Sequence, residues 1–288
     1  MIEEYITTAI ADIDKRLDEL VDDDSTVVVA AQYSLLAPSK RLRPIITIAT
    51  AEALGVPRSK ALDAACALEM IHTYSLIHDD LPCMDDDDIR RGKPSLHKAY
   101  DEGTAVLAGD YLLTYAFEVI AKASDLSPQQ KISLVEVLSR NSGASGMIGG
   151  QALDIAAEGH DIDIAALKTI HSKKTAALIA AAAHFGAIIG DASEEITKAL
   201  TTFATTIGLA FQVVDDILDI TTTTEQLGKP AHSDTEKNKA TYPSLLGVEE
   251  AQRLALSLYD EAIAVLETIP LDTSILAAVA DKLVKRNF

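Results

Sequence analysis

The chain has 288 residues, 48% of them hydrophobic but only 5% aromatic, and 44 acidic against 25 basic side chains give a formal charge of −19. That charge opposes binding of nucleic acid or of an anionic membrane surface, and two cysteines, Cys66 and Cys83, supply neither a disulfide framework nor a metal-ligand spacing. Apolar content dominated by Ala, Leu and Ile, with no Trp, points to closely packed helices, so the expectation is an all-α protein with one domain over residues 1–288.

In chain order, Ile2, Ile6, Ile10, Ile13, Leu17 and Leu20 recur at steps of three and four, which predicts an amphipathic helix over residues 2–20. The start has no basic n-region, and the longest apolar run, Ala176 to Ile189, is too short to span a bilayer and contains His184. A soluble, cytoplasmic protein without a membrane span is expected. A second helix should run from about Thr26 to Leu36 and end at Pro38. Ser39-Lys40-Arg41-Leu42-Arg43-Pro44 then puts three cations ahead of a helix that Pro44 can begin in its first turn. Both a solvated basic turn and an anion site fit that hexapeptide.

After Gly55 and Pro57, a helix from about Ala61 to Ile77 should be buried, because Ala64, Ala65, Ala67, Leu68, Met70, Ile71, Leu76 and Ile77 leave almost no polar face. It runs into six carboxylates, Asp79, Asp80 and Asp85 to Asp88, followed at once by Arg90, Arg91 and Lys93. A solvated helix face would interleave its charges with apolar residues. His72 and Asp79 are seven residues apart and fall on one stripe, with Ser75 one turn below Asp79. Pro82 cannot bond the carbonyl of His78, so the helix should stop where the acids begin. Carboxylates at a helix C-terminus oppose the macrodipole, and a divalent metal is the simplest compensation.

Gly92 and Pro94 mark a loop, and a helix from Thr104 to Ala123 is expected with Val106, Leu107, Leu112, Leu113 and Phe117 in the core. Ser127 to Leu138 forms another helix with proline in its first turn. The glycines at 143, 146, 149 and 150 allow close packing before Gln151 and Asp154, which read equally as caps or as inward-facing site residues. A long helix from Ile164 to Ile189 carries Lys173, Lys174 and Thr175, whose interruption of an apolar run suggests a cavity-facing role. In the next helix Gln212, Asp215 and Asp219 share one face of an otherwise apolar segment, and buried carboxylates need partners. A polar loop from Gly228 to Lys239 and two amphipathic helices, about Val248 to Glu267 and Thr273 to Lys285, complete the chain.

Two acid clusters, each ending an apolar helix and each followed by cations, suggest carboxylates facing one another across a cavity. A few hard oxygen ligands suit Mg²⁺, which shares its coordination with substrate phosphates, and Mn²⁺ could substitute. Arginine and lysine then complete a diphosphate site, and an apolar interior would take a greasy tail. An EF-hand starting at Asp85 fails, since Arg90 and Leu96 stand where glycine and glutamate are required. Walker and Rossmann glycine patterns are missing.

Asp79-Asp80-Leu81-Pro82-Cys83-Met84-Asp85 with Arg90-Arg91-Gly92 resembles the first aspartate-rich motif of the trans-polyprenyl diphosphate synthase family, and Asp215-Asp216-Ile217-Leu218-Asp219 resembles the second. Lys40-Arg41-Leu42-Arg43-Pro44, Gly150-Gln151-Ala152-Leu153-Asp154, Lys174-Thr175, Gly228-Lys229 and Lys239-Ala240-Thr241-Tyr242-Pro243 match further family motifs in order, from about residue 39 onward. Ser39 and the loop Pro230-Ala231-His232-Ser233 depart from the commoner family pattern.

The resemblance implies an all-α bundle of roughly ten or more helices around a central cavity. It further implies Asp79, Asp85 and Asp215 as principal Mg²⁺ ligands, supported by Asp80, Asp154 and Asp219. Arg90, Lys174, Lys229, Gln212 and Thr175 would hold the allylic diphosphate end, Lys40, Arg43, His72 and Arg91 isopentenyl diphosphate, and Lys239 would also bind substrate. Tyr74, with Ser75 beside it, would stop chain growth at a farnesyl product, and a homodimer is implied. A geranylgeranyl synthase, a terpene cyclase and a catalytically silent diphosphate-binding subunit are the alternatives.

Overall fold

The computed structural model describes residues 2–221 and 239–285. Among these the chain is helical apart from one two-residue hairpin. The first three helices are α1 (Ile2–Leu20), α2 (Thr26–Leu35) and α3 (Leu42–Ala53), with α1 burying Ala9, Ile13 and Leu17 as its period requires. Helix α4 (Arg58–Asp79) is buried along most of its length and ends at Asp79, with Asp80 as its C-cap.

Gly92 and Pro94 lie in a short antiparallel ribbon, β1 (Ile89–Arg90) and β2 (Lys93–Pro94), rather than an open loop. Helices α5 (Leu96–Ala99), α6 (Glu102–Lys122), α7 (Pro128–Ser142) and α8 (Met147–Ala157) follow. Ser127 and Gln130 form the capping box that starts α7. Helix α9 (Ile164–His171) and α10 (Ala177–Ile189) are continuous through one π turn, Ser172–Ala176. Then come α11 (Glu194–Thr221), α12 (Tyr242–Leu246), α13 (Val248–Glu267) and α14 (Ser274–Val284).

One hydrophobic core runs through the bundle, from Ile13 on α1 to Val284 on α14. Helix α4 lies inside it, packed by α3, α6, α10 and α1. On α6, Leu112 is buried and Leu113 and Phe117 are half-buried, but Val106 and Leu107 are 39% and 54% exposed, against expectation. The cause lies in helix geometry: Ala105, Ala108, Gly109 and Leu112 form the stripe that meets α4, and Val106 and Leu107 fall on the opposite side. Helix α6 has the length and apolar composition to cross a bilayer, yet in this fold it packs against α4 and α2.

Candidate active site

Asp79 and Asp85 are brought together by the backbone. Pro82 stops α4, and the chain curls so that the Asp85 N–H donates to the Asp79 carbonyl at 2.8 Å. Asp79 also accepts a bond from the Gln151 amide on α8. Burial raises the Asp79 carboxyl above its usual range; Lys174 opposes the shift and neighbouring Asp85 adds to it.

Two lysines already bring positive charge to these acids. Lys174 lies 2.7 Å from Asp154 and 4.0 Å from Asp79, and Lys239 lies 2.8 Å from Asp85 and 3.6 Å from both Asp154 and Glu158. Burial pulls the Lys239 ammonium down, but Asp85, Asp154 and Asp79 together hold it above the usual lysine range. The π turn is what presents Lys174 and Thr175 here, because its extra residue shifts the helix face. Helix α8 packs directly on that turn: a Cβ on Gly150 would stand 2.2 Å from the Lys174 nitrogen.

A pocket of about 180 Å³ collects Asp79, Asp85, Asp154, Lys174, Thr175, Gln212, Asp215 and Lys239. Three further residues join them: Asp87 and Asp216, which the sequence shows only as members of the acid clusters, and His171, which no sequence pattern singles out. Thr175 donates to Gln212 at 2.9 Å, Gln212 donates to Asp216 at 2.9 Å, and Asp216 accepts the Tyr242 N–H at 3.0 Å. Asp219, one turn further along α11, is fully buried and lines neither this pocket nor the larger cavity beside it. Asp80 is likewise turned away, its carboxylate held by Arg90, whose guanidinium also reaches Asp87 at 3.0 Å. Lys229 lies outside the described residues.

The larger cavity, about 500 Å³, is mostly apolar and shares Asp79, Lys174 and Thr175 with the polar pocket. Tyr74, Ser75 and His78 of α4, Asp110 and Leu113 of α6, and Met147 and Ile148 of α8 line it. At one side are Arg43 and His72. Burial, partly offset by Glu69 and reinforced by Arg91, pushes the Arg43 guanidinium down to about 10. Burial and four surrounding arginines hold His72 well below the usual histidine range, so the ring is neutral.

Buried Glu69 organises this basic corner. Arg41, fully buried, donates to Glu69 at 2.9 Å and to Asp14 at 2.7 Å, and Arg91 lies 3.9 Å from the same Glu69 carboxylate. Both arginines adopt left-handed backbone, with φ of 45° and 54°. Such conformations are strained for a long side chain and persist only when the surroundings impose them. Glu69 is not among the residues expected from the sequence, although it is the one carboxylate in the apolar run 64–71, one turn before His72. Lys40 is exposed and lines neither cavity.

Carboxylate oxygens from Asp79, Asp85, Asp154, Asp215 and Asp216 around one small pocket are the hard donor set that Mg²⁺ takes, and Mn²⁺ can replace it. The buried acids, with ammonium groups drawn against them, fit a site built for cationic charge.

The polyprenyl synthetase family model matches residues 25–268. A heterodimeric geranylgeranyl pyrophosphate synthase large subunit from Arabidopsis thaliana is 47% identical over 90% of this chain and 72% of its own. A farnesyl diphosphate synthase from Geobacillus stearothermophilus is 43% identical over 94% and 92%. The crystal structure of an FPP/GFPP synthase from Zymomonas mobilis superposes with a TM-score of 0.88 at 36% identity, covering 98% of both chains. A family model that matches most of the chain, relatives 47% and 43% identical over most of their length and a bundle shared with the Zymomonas enzyme lead to one conclusion: the chain belongs to the polyprenyl synthetase family.

Proposed function

We propose that this protein is a Mg²⁺-dependent prenyltransferase that joins isopentenyl diphosphate to dimethylallyl and then geranyl diphosphate, with farnesyl diphosphate as its product. The observation that carries the reading is the junction of the two cavities at Asp79, Lys174 and Thr175. An amphiphile with a diphosphate head and a prenyl tail matches it, head in the polar pocket and tail in the apolar cavity, whose volume lies in the range of about 300–1,000 Å³ usual for ligand sites.

Bound Mg²⁺, held by Asp79, Asp85 and Asp215 with Asp154 and Asp216 in support, would supply positive charge to the departing diphosphate, whereas Asp80 and Asp219, expected from the sequence to assist, face away from this pocket. Lys174, Lys239, Arg90 and Lys229 serve the same oxygens, and Thr175 and Gln212 orient them. The allylic C–O bond breaks with its electrons on the diphosphate. Lys40, Arg43, His72 and Arg91 hold isopentenyl diphosphate so that its double bond attacks the allylic carbon, forming the new C–C bond. A proton then leaves to an oxygen of the released diphosphate, and no protein nucleophile takes part.

Tyr74, 4% exposed and lining the cavity beside Ser75, ends growth at fifteen carbons in this reading. A geranylgeranyl product is the second reading, favoured by the names of the plant relatives. The proposal includes one synthase domain over residues 1–288, a cytoplasmic location consistent with two free cysteines, and a homodimer. Exposed Val106 and Leu107 on α6 and Ile132, 66% exposed, on neighbouring α7 are suited to a partner subunit. Incubation with Mg²⁺, dimethylallyl diphosphate and isopentenyl diphosphate, with the products sized as alcohols, tests the function. Absence of any prenyl product overturns it.

A further inference from the structure

The floor of the apolar cavity depends on a residue outside it. Tyr74 and His78 are one turn apart on α4, and their rings meet edge to face with centroids 5.8 Å apart. The Tyr74 hydroxyl is buried and has no hydrogen-bond partner among the described residues, so no hydrogen bond among them anchors the far end of the side chain. Its stance is set by packing, and His78 is the aromatic neighbour that packs against it.

His78 is anchored on α6. Its Nε2 lies 3.0 Å from the carbonyl oxygen of Val106, and because a carbonyl can only accept, Nε2 carries the proton. The imidazole comes this close because residue 109 has no side chain: a Cβ there would stand 2.1 Å from Nε2, 2.5 Å from Cδ2 and 2.9 Å from Cε1. Those separations lie far inside van der Waals contact, so any larger residue evicts the ring. Gly109 has ordinary helical backbone, and what it contributes is absent volume, not unusual torsion.

We propose that Gly109 is a specificity-determining positioning residue: by admitting His78 against α6 it sets where Tyr74 stands, and so how long a prenyl chain the cavity accepts. This inference rests on the prenyltransferase reading above. With a methyl group at 109, the imidazole loses its seat and turns into the void it already lines, shortening the cavity from the side of α6. Removing the imidazole does the reverse, opening its volume and withdrawing support from Tyr74.

The test is the product distribution of G109A, H78A and G109A/H78A beside the parent, with dimethylallyl and isopentenyl diphosphates and Mg²⁺, and circular dichroism to establish folding. G109A is expected to raise the ratio of geranyl to farnesyl product about tenfold, the discrimination that a small change of pocket volume carries. H78A should move the distribution toward chains longer than the parent's. The double variant should behave as H78A, since the methyl group then meets no ring. An unchanged distribution in folded G109A, or a double variant that keeps the shift of G109A, overturns the proposal. Should G109A not fold, H78A decides alone, and unaltered product lengths refute it. A parent that makes no prenyl product removes the function itself, whereas product of unaltered length in the variants removes only the role of Gly109.

Discussion

The polar pocket and the apolar cavity meet at three residues but are built by opposite means. In the pocket, like charges are forced together by backbone, as when the Asp85 N–H bonds the Asp79 carbonyl, and are tolerable only because lysines and arginines stand against them. In the cavity the walls are mostly side chains of α4, α6 and α8, and shape is decided by volumes as small as the missing methyl of Gly109. The first region should respond to substitution in rate and charge balance, the second in product length. In the proposed function, chemistry is concentrated where electrostatics leaves little latitude, and specificity where packing leaves more.

The sharpest way to break this contrast is Asp79→Asn, which removes charge without changing volume. A fall in kcat of about a thousandfold is expected, together with weaker Mn²⁺ binding followed by electron paramagnetic resonance. A change of product length instead of rate would erase the distinction between the regions.

Glu69→Gln probes the basic corner that borders both. Arg41 would keep Asp14 but lose its fully buried partner, a change of the kind that costs about 3 kcal/mol. The urea midpoint should fall accordingly. In protein that remains folded, KM for isopentenyl diphosphate should rise more than KM for the allylic partner, because Arg91 and Arg43 face the side governed by Glu69.

His171 tests the pocket by pH. Burial, opposed by Asp154 and reinforced by Lys174, lowers the ring to about 4 from an ordinary value of 6.5. A depressed histidine contributes stability that is fully present above pH 6.5 and lost as pH falls toward 4, at most about 3 kcal/mol across that window. Urea titrations in EDTA should show His171→Asn with a shallower loss than the parent between those pH values.

The smallest effect is expected in the cavity itself. Tyr74→Ala should move the product toward longer chains, read by chromatography of the hydrolysed alcohols, and no lengthening would remove Tyr74 from the account of specificity.

Much of this was legible beforehand. The helix over residues 2–20, the stop at Pro82 and the proline-led start of α7 follow from rules that act within one or two turns, and the structure agrees with each. Asp79, Asp85, Asp154, Lys174, Thr175, Gln212, Asp215 and Lys239 stand out in the sequence by residue type and spacing, and all line the polar pocket. Asp216 was passed over in favour of Asp219 because a stripe of Gln212, Asp215 and Asp219 looks better on a helix wheel. The neighbours that decide between them, Thr175 on the π turn and Tyr242 on α12, come from distant parts of the chain. The exposure of Val106 and Leu107 was missed for the same reason, since apolar character does not say which side of α6 meets α4.

By itself the sequence determined the helical class, the order of the motifs and the pairing of acids with cations, because periodicity, proline and charge act locally. Only the tertiary structure decided that Asp80 belongs to Arg90, that two left-handed arginines share Glu69, and that the imidazole of His78 fills the space left by Gly109. Each of those is a contact between segments whose distance in space no local rule encodes, and close packing turns differences of an ångström into differences of partner.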